Sequence, residues 1–270
     1  MPSSQHTGRL QRSTDPRDYQ RVGRPVAAMP KDFPSGHHIP PHSHERGQLV
    51  YATSGVMRVT ATQPNANGGT WIVPPQRALW IPPGVTHEIR MSGRVAMRTL
   101  YIAVETAAGL PDACRVIEVS DLLRALILAA MEEPVDYAAN SRGAAIAALL
   151  LHELRGVEAQ PLHLPQPRDA RLQAICRRVA EHLGEDIGLE TLASGAGLSS
   201  RSLARLFQRE TGMGFAAWRQ QARLAEALAM LSTGRAVALV AADLGYASAA
   251  AFTAMFRRAL GTTPGRYFAK

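Results

Sequence analysis

The chain has 270 residues, 46% of them apolar and 19% charged, with a formal net charge of +8 and 2 cysteines. That apolar share and low charge density exclude a disordered polycation. Cys114 and Cys176 are single and far apart, which excludes a disulfide scaffold or a metal-type cysteine pair, and the length suits one large domain or two ordinary ones.

The charge is unevenly placed. Residues 1–165 carry 16 basic and 14 acidic side chains, whereas residues 166–270 carry 14 and 8. All but one of the basic residues in the second segment are Arg, the better residue for bidentate contacts to phosphate or guanine. Taken alone, such a segment is as often a solvated basic face as a nucleic-acid face.

In chain order, residues 1–30 read as a flexible arm. Its first 25 residues hold five Arg and no apolar core, so it does not read as a secretory signal. No run of 18 or more apolar residues suggests a membrane span, and the expected location is the cytoplasm. From Gln48 to Val104 the pattern is that of strands. QLVYATSGVMRVTA alternates, and short β-branched and aromatic runs follow, cut by Pro74–Pro75 and by Pro82–Pro83–Gly84. That spacing predicts a sandwich or small barrel, with the prolines at corners or edges. Trp71, Trp80, Tyr51 and Tyr101 are candidates to line its interior, although aromatics at strand spacing are more often simply core.

After Val119 the period changes to helical. Ser120 can cap a helix with Leu122, Leu123, Leu126 and Ile127 on one stripe, stopped by Pro134, and 142–155 is a second helix. That stripe serves either a homodimer contact or internal packing. Three prolines between Pro161 and Pro167 mark a linker over 161–170. The predicted order is therefore arm 1–30, sensor domain 31–160, linker 161–170 and helical domain 171–270.

The helical domain has helix-turn-helix grammar. Leu189, Leu192 and Ala193 face inward on a short helix, and Gly195, Ala196 and Gly197 allow a turn that Leu198 plugs. Ser199 or Ser200 caps a second helix whose buried stripe is Leu203, Leu206 and Phe207. Ser200, Arg201, Ser202, Arg205 and Arg209 are left to meet DNA, with Arg offered to guanine edges in a major groove. The pattern recurs 48 residues later at Ala241, Gly245 and Tyr246, with one extra residue before Phe252 and Phe256. Here Ser248, Thr253, Arg257 and Arg258 are the DNA candidates. A long helix over 215–231, packed through Trp218, Ala222, Leu224, Ala225 and Leu228, joins the copies. Two such units reading one DNA face would lie roughly 34 Å apart, one turn of the duplex.

Over 172–269 the chain resembles the AraC/XylS transcriptional regulators. The stretch includes LASGAGLSSRSLARLFQRETG and ends in the G-x-x-P-x-x-[YF] signature at Gly261, Pro264 and Tyr267. The resemblance implies that the first reading helix makes the stronger base contacts. The short Ser248, Ala249, Ala250, Ala251 and Thr253 of the second fit that expectation, leaving Arg257 or Arg258 to phosphate.

Histidines mark the sensor domain. His42 and His44 are two apart, on one side of a strand, and His87 follows a Pro-Gly turn; imidazoles suit Zn, Ni, Fe or Cu. His37 and His38 fall in an expected loop. The segment is similar to the cupin pattern G-x5-H-x-H-x3,4-E-x6-G, at Gly36, His42, His44, Gln48 and Gly55. The second cupin motif is kept at Pro82, Gly84 and His87, with Arg77 and Met91 in place of its first Gly and its Asn. The resemblance implies a site for one divalent transition metal at His42, His44, Gln48 and His87, with Gln48 replacing the usual carboxylate. The expected fold is thus an N-terminal cupin-like β-barrel or sandwich with following helices, then an all-α domain with two helix-turn-helix units. The expected function is sequence-specific transcriptional regulation, not catalysis. The expected partners are promoter DNA, a small-molecule or metal effector, a second copy of the chain and RNA polymerase. The alternative is a metal-dependent cupin enzyme with an accessory DNA-binding tail, for which Glu45 and Glu88 are the nearby carboxylates.

Overall fold

A computed structural model describes residues 12–62, 68–155 and 162–269. Two antiparallel sheets of five strands each form the N-terminal body. The first is ordered β1 (Val26–Phe33), β8 (Val95–Ile102), β3 (Gly47–Tyr51), β6 (Arg77–Ile81) and β9 (Arg115–Glu118). The second is ordered β10 (His163–Pro165), β5 (Gly69–Val73), β4 (Val56–Thr62), β7 (Thr86–Ser92) and β2 (His38–His42). Their inner faces share one core. Met29, Val50, Leu79, Met97 and Tyr101 come from the first sheet, and Met57, Val59, Trp71, Ile89 and Met91 from the second.

Because side chains alternate along a strand, the residues between these face outward. On the first sheet they are Ala28, Tyr51, Trp80 and Leu100, covered by helices α1 (Asp121–Ala130) and α2 (Arg142–Arg155). Of the four aromatics expected inside, Trp71 and Tyr101 are there. Tyr51 and Trp80 lie on the opposite face, one register step away, under the helices. Leu123, Leu126 and Ile127 of α1 are buried in this second cluster, whereas Leu122 is 53% exposed. The stripe expected from the sequence is thus split, with Leu126 and Ile127 serving internal packing. Both Pro-Pro pairs fall in turns flanking β6, and Pro40–Pro41 sit in β2, an edge strand whose register shifts between Ile39 and His42.

Two boundaries differ from expectation. From residue 12 onward the expected arm is tied down; residues 1–11 lie outside the described residues. Tyr19, on a short 3-10 turn (Pro16–Tyr19), is 1% exposed against Tyr101, and β1 pairs with β8 along its whole length. The buried Arg46 guanidinium donates to the carbonyls of Gln20, Val22, Arg24 and Tyr101. Carbonyls of an otherwise patternless segment thereby gain a partner, which hydrophobic periodicity does not reveal. The expected linker contributes β10, which pairs antiparallel with β5 before Asp169 caps α3 (Ala170–Glu181).

The helical body continues with α4 (Leu189–Gly195), α5 (Ser200–Thr211), α6 (Phe215–Ser232), α7 (Val237–Asp243), α8 (Ala249–Leu260) and α9 (Pro264–Tyr267). Ser199 accepts from the Ser202 amide and Ser248 from the Ala251 amide, so each second helix of the two units has a serine N-cap. Both helices end at a left-handed glycine, Gly212 and Gly261. Ala247 is the extra residue, lying in the second turn before the cap.

The turn glycines are not equivalent. Gly197 has φ +67 with open space around it, whereas a Cβ at Gly245 (φ +73) would lie 2.2 Å from the Gly184 carbonyl oxygen. Gly197→Ala is expected to cost about 1–2 kcal/mol from the left-handed backbone alone. Gly245→Ala adds overpacking against backbone and is expected to cost about 2–5 kcal/mol. Urea unfolding midpoints of the two variants test the difference; equal midpoints would contradict it.

Candidate metal centre and nucleic-acid interface

The edge of the second sheet brings the three histidines together. His42 closes β2 directly opposite His87 on β7, and His44 follows just past the strand. Ring centroids are 4.3 Å apart for His42–His87, 4.9 Å for His42–His44 and 5.5 Å for His44–His87. One ligand atom from each lies within 4.8 Å of the others.

Their tautomers follow from their neighbours. His87 Nδ1 lies 3.0 Å from the Val85 carbonyl and His42 Nδ1 lies 2.8 Å from the Pro40 carbonyl. A carbonyl can only accept, so each Nδ1 carries a proton, and Nε2 is the nitrogen left to bind a cation. The Nε2 atoms of His44 and His87 are buried without a hydrogen-bond partner. Burial, with the neighbouring His42 and His87, pushes His44 down to about 3. Burial first, with a smaller effect of His42, takes His87 down to about 4. Two buried imidazoles with unsatisfied Nε2 atoms, converging with the ring of His42, are what a borderline cation requires.

Gln48 borders this group. It is 2% exposed and lies opposite Tyr101 in the sheet, and its Oε1 is buried and unpartnered. The Tyr101 ring packs 5.0 Å from that of His44, and burial raises the Tyr101 hydroxyl well above the ordinary phenol range. His38 is in strand β2 rather than a loop and bonds Glu88 at 2.9 Å. Glu88 neighbours His87 on a strand and therefore takes the opposite face, and Glu45 is exposed.

The second candidate surface lies on the helical body. Leu203 and Phe207 are fully buried, Leu206 is half-buried, and Arg201, Ser202, Arg205 and Arg209 are exposed on α5, with Ser200 at its start half-buried. On α8, Phe252, Met255 and Phe256 are buried while Ser248, Arg257 and Arg258 are exposed. Ala249, Ala250, Thr253, Arg257, Arg258 and Thr263 line a shallow concavity there. Helical periodicity alone is enough to separate these faces.

Contacts between the two bodies were not legible in the sequence. Arg58 on β4 pairs with Glu226 on α6 at 2.9 Å, and Ser232 at the end of α6 donates to the Ser92 carbonyl at 3.0 Å. Trp218 of α6 donates to Pro165 of β10 at 3.0 Å. Tyr267, the last residue of the signature, packs edge-on against Phe256 and donates to the Pro75 carbonyl at 2.8 Å. A Cβ at Gly93 would lie 2.6 Å from the Ser232 carbonyl, so this turn approaches α6 closely only because it lacks one. The helix that separates the two reading helices is thus also the docking element for the second sheet. Among the described residues no helix is long and apolar enough to cross a membrane.

Family models match both bodies: an AraC-like ligand binding domain over residues 33–197 and a helix-turn-helix domain over 192–270. The chain is 37% identical over 231 residues, 86% of its length, to the HTH-type transcriptional regulator NimR of Escherichia coli K12, covering 82% of that protein. It is 28% identical over 116 residues, 42% of its length, to the arabinose operon regulatory protein of the same organism, covering 40% of it. Among solved structures, the DNA-binding domain of AdpA in complex with a target DNA matches 37% of this chain and 91% of its own, at 33% identity and a TM-score of 0.35. The chain belongs to the AraC family of transcriptional regulators, with a ligand-binding domain followed by a helix-turn-helix DNA-binding domain.

Proposed function

We propose that this regulator reads its operator mainly through Arg201 and Arg205 and senses its effector at a divalent metal held by His42, His44 and His87. In this reading Ser200, Ser202 and Arg209 support the first reading helix. The second contributes Ser248 and Thr253 close to the duplex and Arg257 and Arg258 at phosphates. Zn, Ni, Fe or Cu suits the imidazole set, with Gln48 at its border. The observation that carries the regulatory reading is that α6 both joins the two reading units and bears the contacts to the sensor sheet. β7 carries both His87 and Ser92, whose carbonyl is bonded by Ser232 of α6. A ligand that favours one position of β7 would therefore favour one setting of the reading helices, provided its affinity for the two states differs.

A second copy of the chain fits the outer face of α1 and α2, where Leu122 and Leu149 are 53% and 50% exposed. RNA polymerase remains a candidate partner of the DNA-bound form, which acts in the cytoplasm. The enzymatic alternative gains no support from Glu45, which is exposed, or from Glu88, which bonds His38 on the outer face.

Fluorescence anisotropy with the DNA upstream of the protein's own gene tests the regulatory reading. The expected result is a specific complex at least a thousandfold tighter than one with scrambled DNA, weakening steeply with salt. Equal affinity for both DNAs would refute it.

A further inference from the structure

The histidine cluster has an uncommon charge balance, and resting on the metal reading above, we propose that the ligand sensed there is a small organic anion of the carboxylate class, bound directly to the metal. All three candidate ligands are imidazoles, which bring no negative charge to a cation. Among the described residues no Asp, Glu or Cys joins the group. The one position where a carboxylate would be expected is the neutral amide of Gln48, buried at 2% exposure. Glu88 is engaged by His38 on the outer face, and Glu45 is exposed. Arg46, buried and two residues from His44, is positive, and the Tyr101 carbonyl is one of its acceptors.

A divalent ion in this setting would keep its full double charge in a poorly solvated place. Charge buried without a counter-ion is costly, so the site favours a ligand that brings negative charge with it. Three protein nitrogens would leave a bound cation a coordination position for that ligand. Tyr101, whose ring packs against that of His44, carries a hydroxyl that can donate to the second oxygen of a carboxylate. Neutral molecules of the same shape lack the charge that makes the exchange favourable. Restoring a carboxylate at position 48 would satisfy the metal from within and remove most of the attraction for an outside anion.

The test uses the full-length chain, stripped with chelator, loaded with one equivalent of cobalt(II) and freed of excess metal. Visible absorption follows titration with sodium benzoate, sodium azide and benzamide. Expected are saturable shifts of the cobalt bands with azide and benzoate, and benzoate at least tenfold tighter than its neutral amide. Gln48→Glu should retain cobalt and bind both anions at least tenfold more weakly. Equal response to benzoate and benzamide, no response to either anion, or undiminished anion binding by Gln48→Glu with cobalt in place would each overturn the proposal. Failure of the metal reading itself shows earlier, as wild-type protein that holds no more cobalt than His87→Ala before any anion is added, and it removes the basis for the anion site.

Discussion

His87→Ala should lose its metal, with affinity for zinc or cobalt lowered more than a hundredfold. His87 is the most constrained of the three rings, with Nδ1 bonded to the Val85 carbonyl and Nε2 buried and unsatisfied. Loss of a partner that merely orients a ligand already costs 10- to 100-fold, as a general order of magnitude. Loss of the ligand itself removes the bond. His42→Ala should behave in the same way. His38→Ala should keep the metal, because its imidazole faces Glu88 on the outer surface. His163→Ala is a second control: that ring stacks on Trp71, and burial takes it down to about 4, but it lies outside the cluster. Elemental analysis of dialysed protein gives the metal content. Thermal unfolding gives an independent reading, since metal at a thousandfold its dissociation constant adds about 4 kcal/mol of stability. Metal retained by both His42→Ala and His87→Ala would sink the site.

Arg205→Ala should weaken operator binding by roughly 1–3 kcal/mol and relax the preference at one base pair. Arg205 is exposed two residues after the buried Leu203 and two before Phe207, so it projects away from the core that fixes α5. A guanidinium held that way offers paired donors to a guanine edge. Arg257→Ala, on α8, should instead lower affinity evenly across sequences and reduce the salt slope by about 1. Competition binding against single-base variants, repeated at several salt concentrations, separates the outcomes. If Arg205→Ala loses affinity without losing preference, its contact is to phosphate and the base reading belongs elsewhere on α5.

The helical domain was the more legible because its signals are local. The spacing of Leu203 and Phe207, and of Phe252 and Phe256, defines a buried stripe within a few turns of one helix. Serine caps and left-handed glycines add boundaries that also depend on neighbours in sequence. The sensor domain was legible in class, since alternation and proline corners suffice to call a sandwich. Which face each aromatic took was not. Trp80 and Trp71 differ only in the parity of their positions within strands whose starts the sequence leaves uncertain by a residue, and one residue reverses the face.

What the sequence by itself determined, then, is the inventory: two helix-turn-helix units with their exposed arginines, a β domain ahead of them, and three histidines in a spacing that suits a cation. The tertiary structure decided what depends on contacts between distant segments. His42 meets His87 across a strand pair 45 positions apart in the chain. The segment after residue 12 is held by an arginine bonded to carbonyls, and the expected linker is a strand. Arg58 and Ser92 reach α6 from 168 and 140 positions away. Such pairings leave no periodic trace, because a hydrogen bond or ion pair between remote residues needs only two suitable groups and a fold that delivers them to each other.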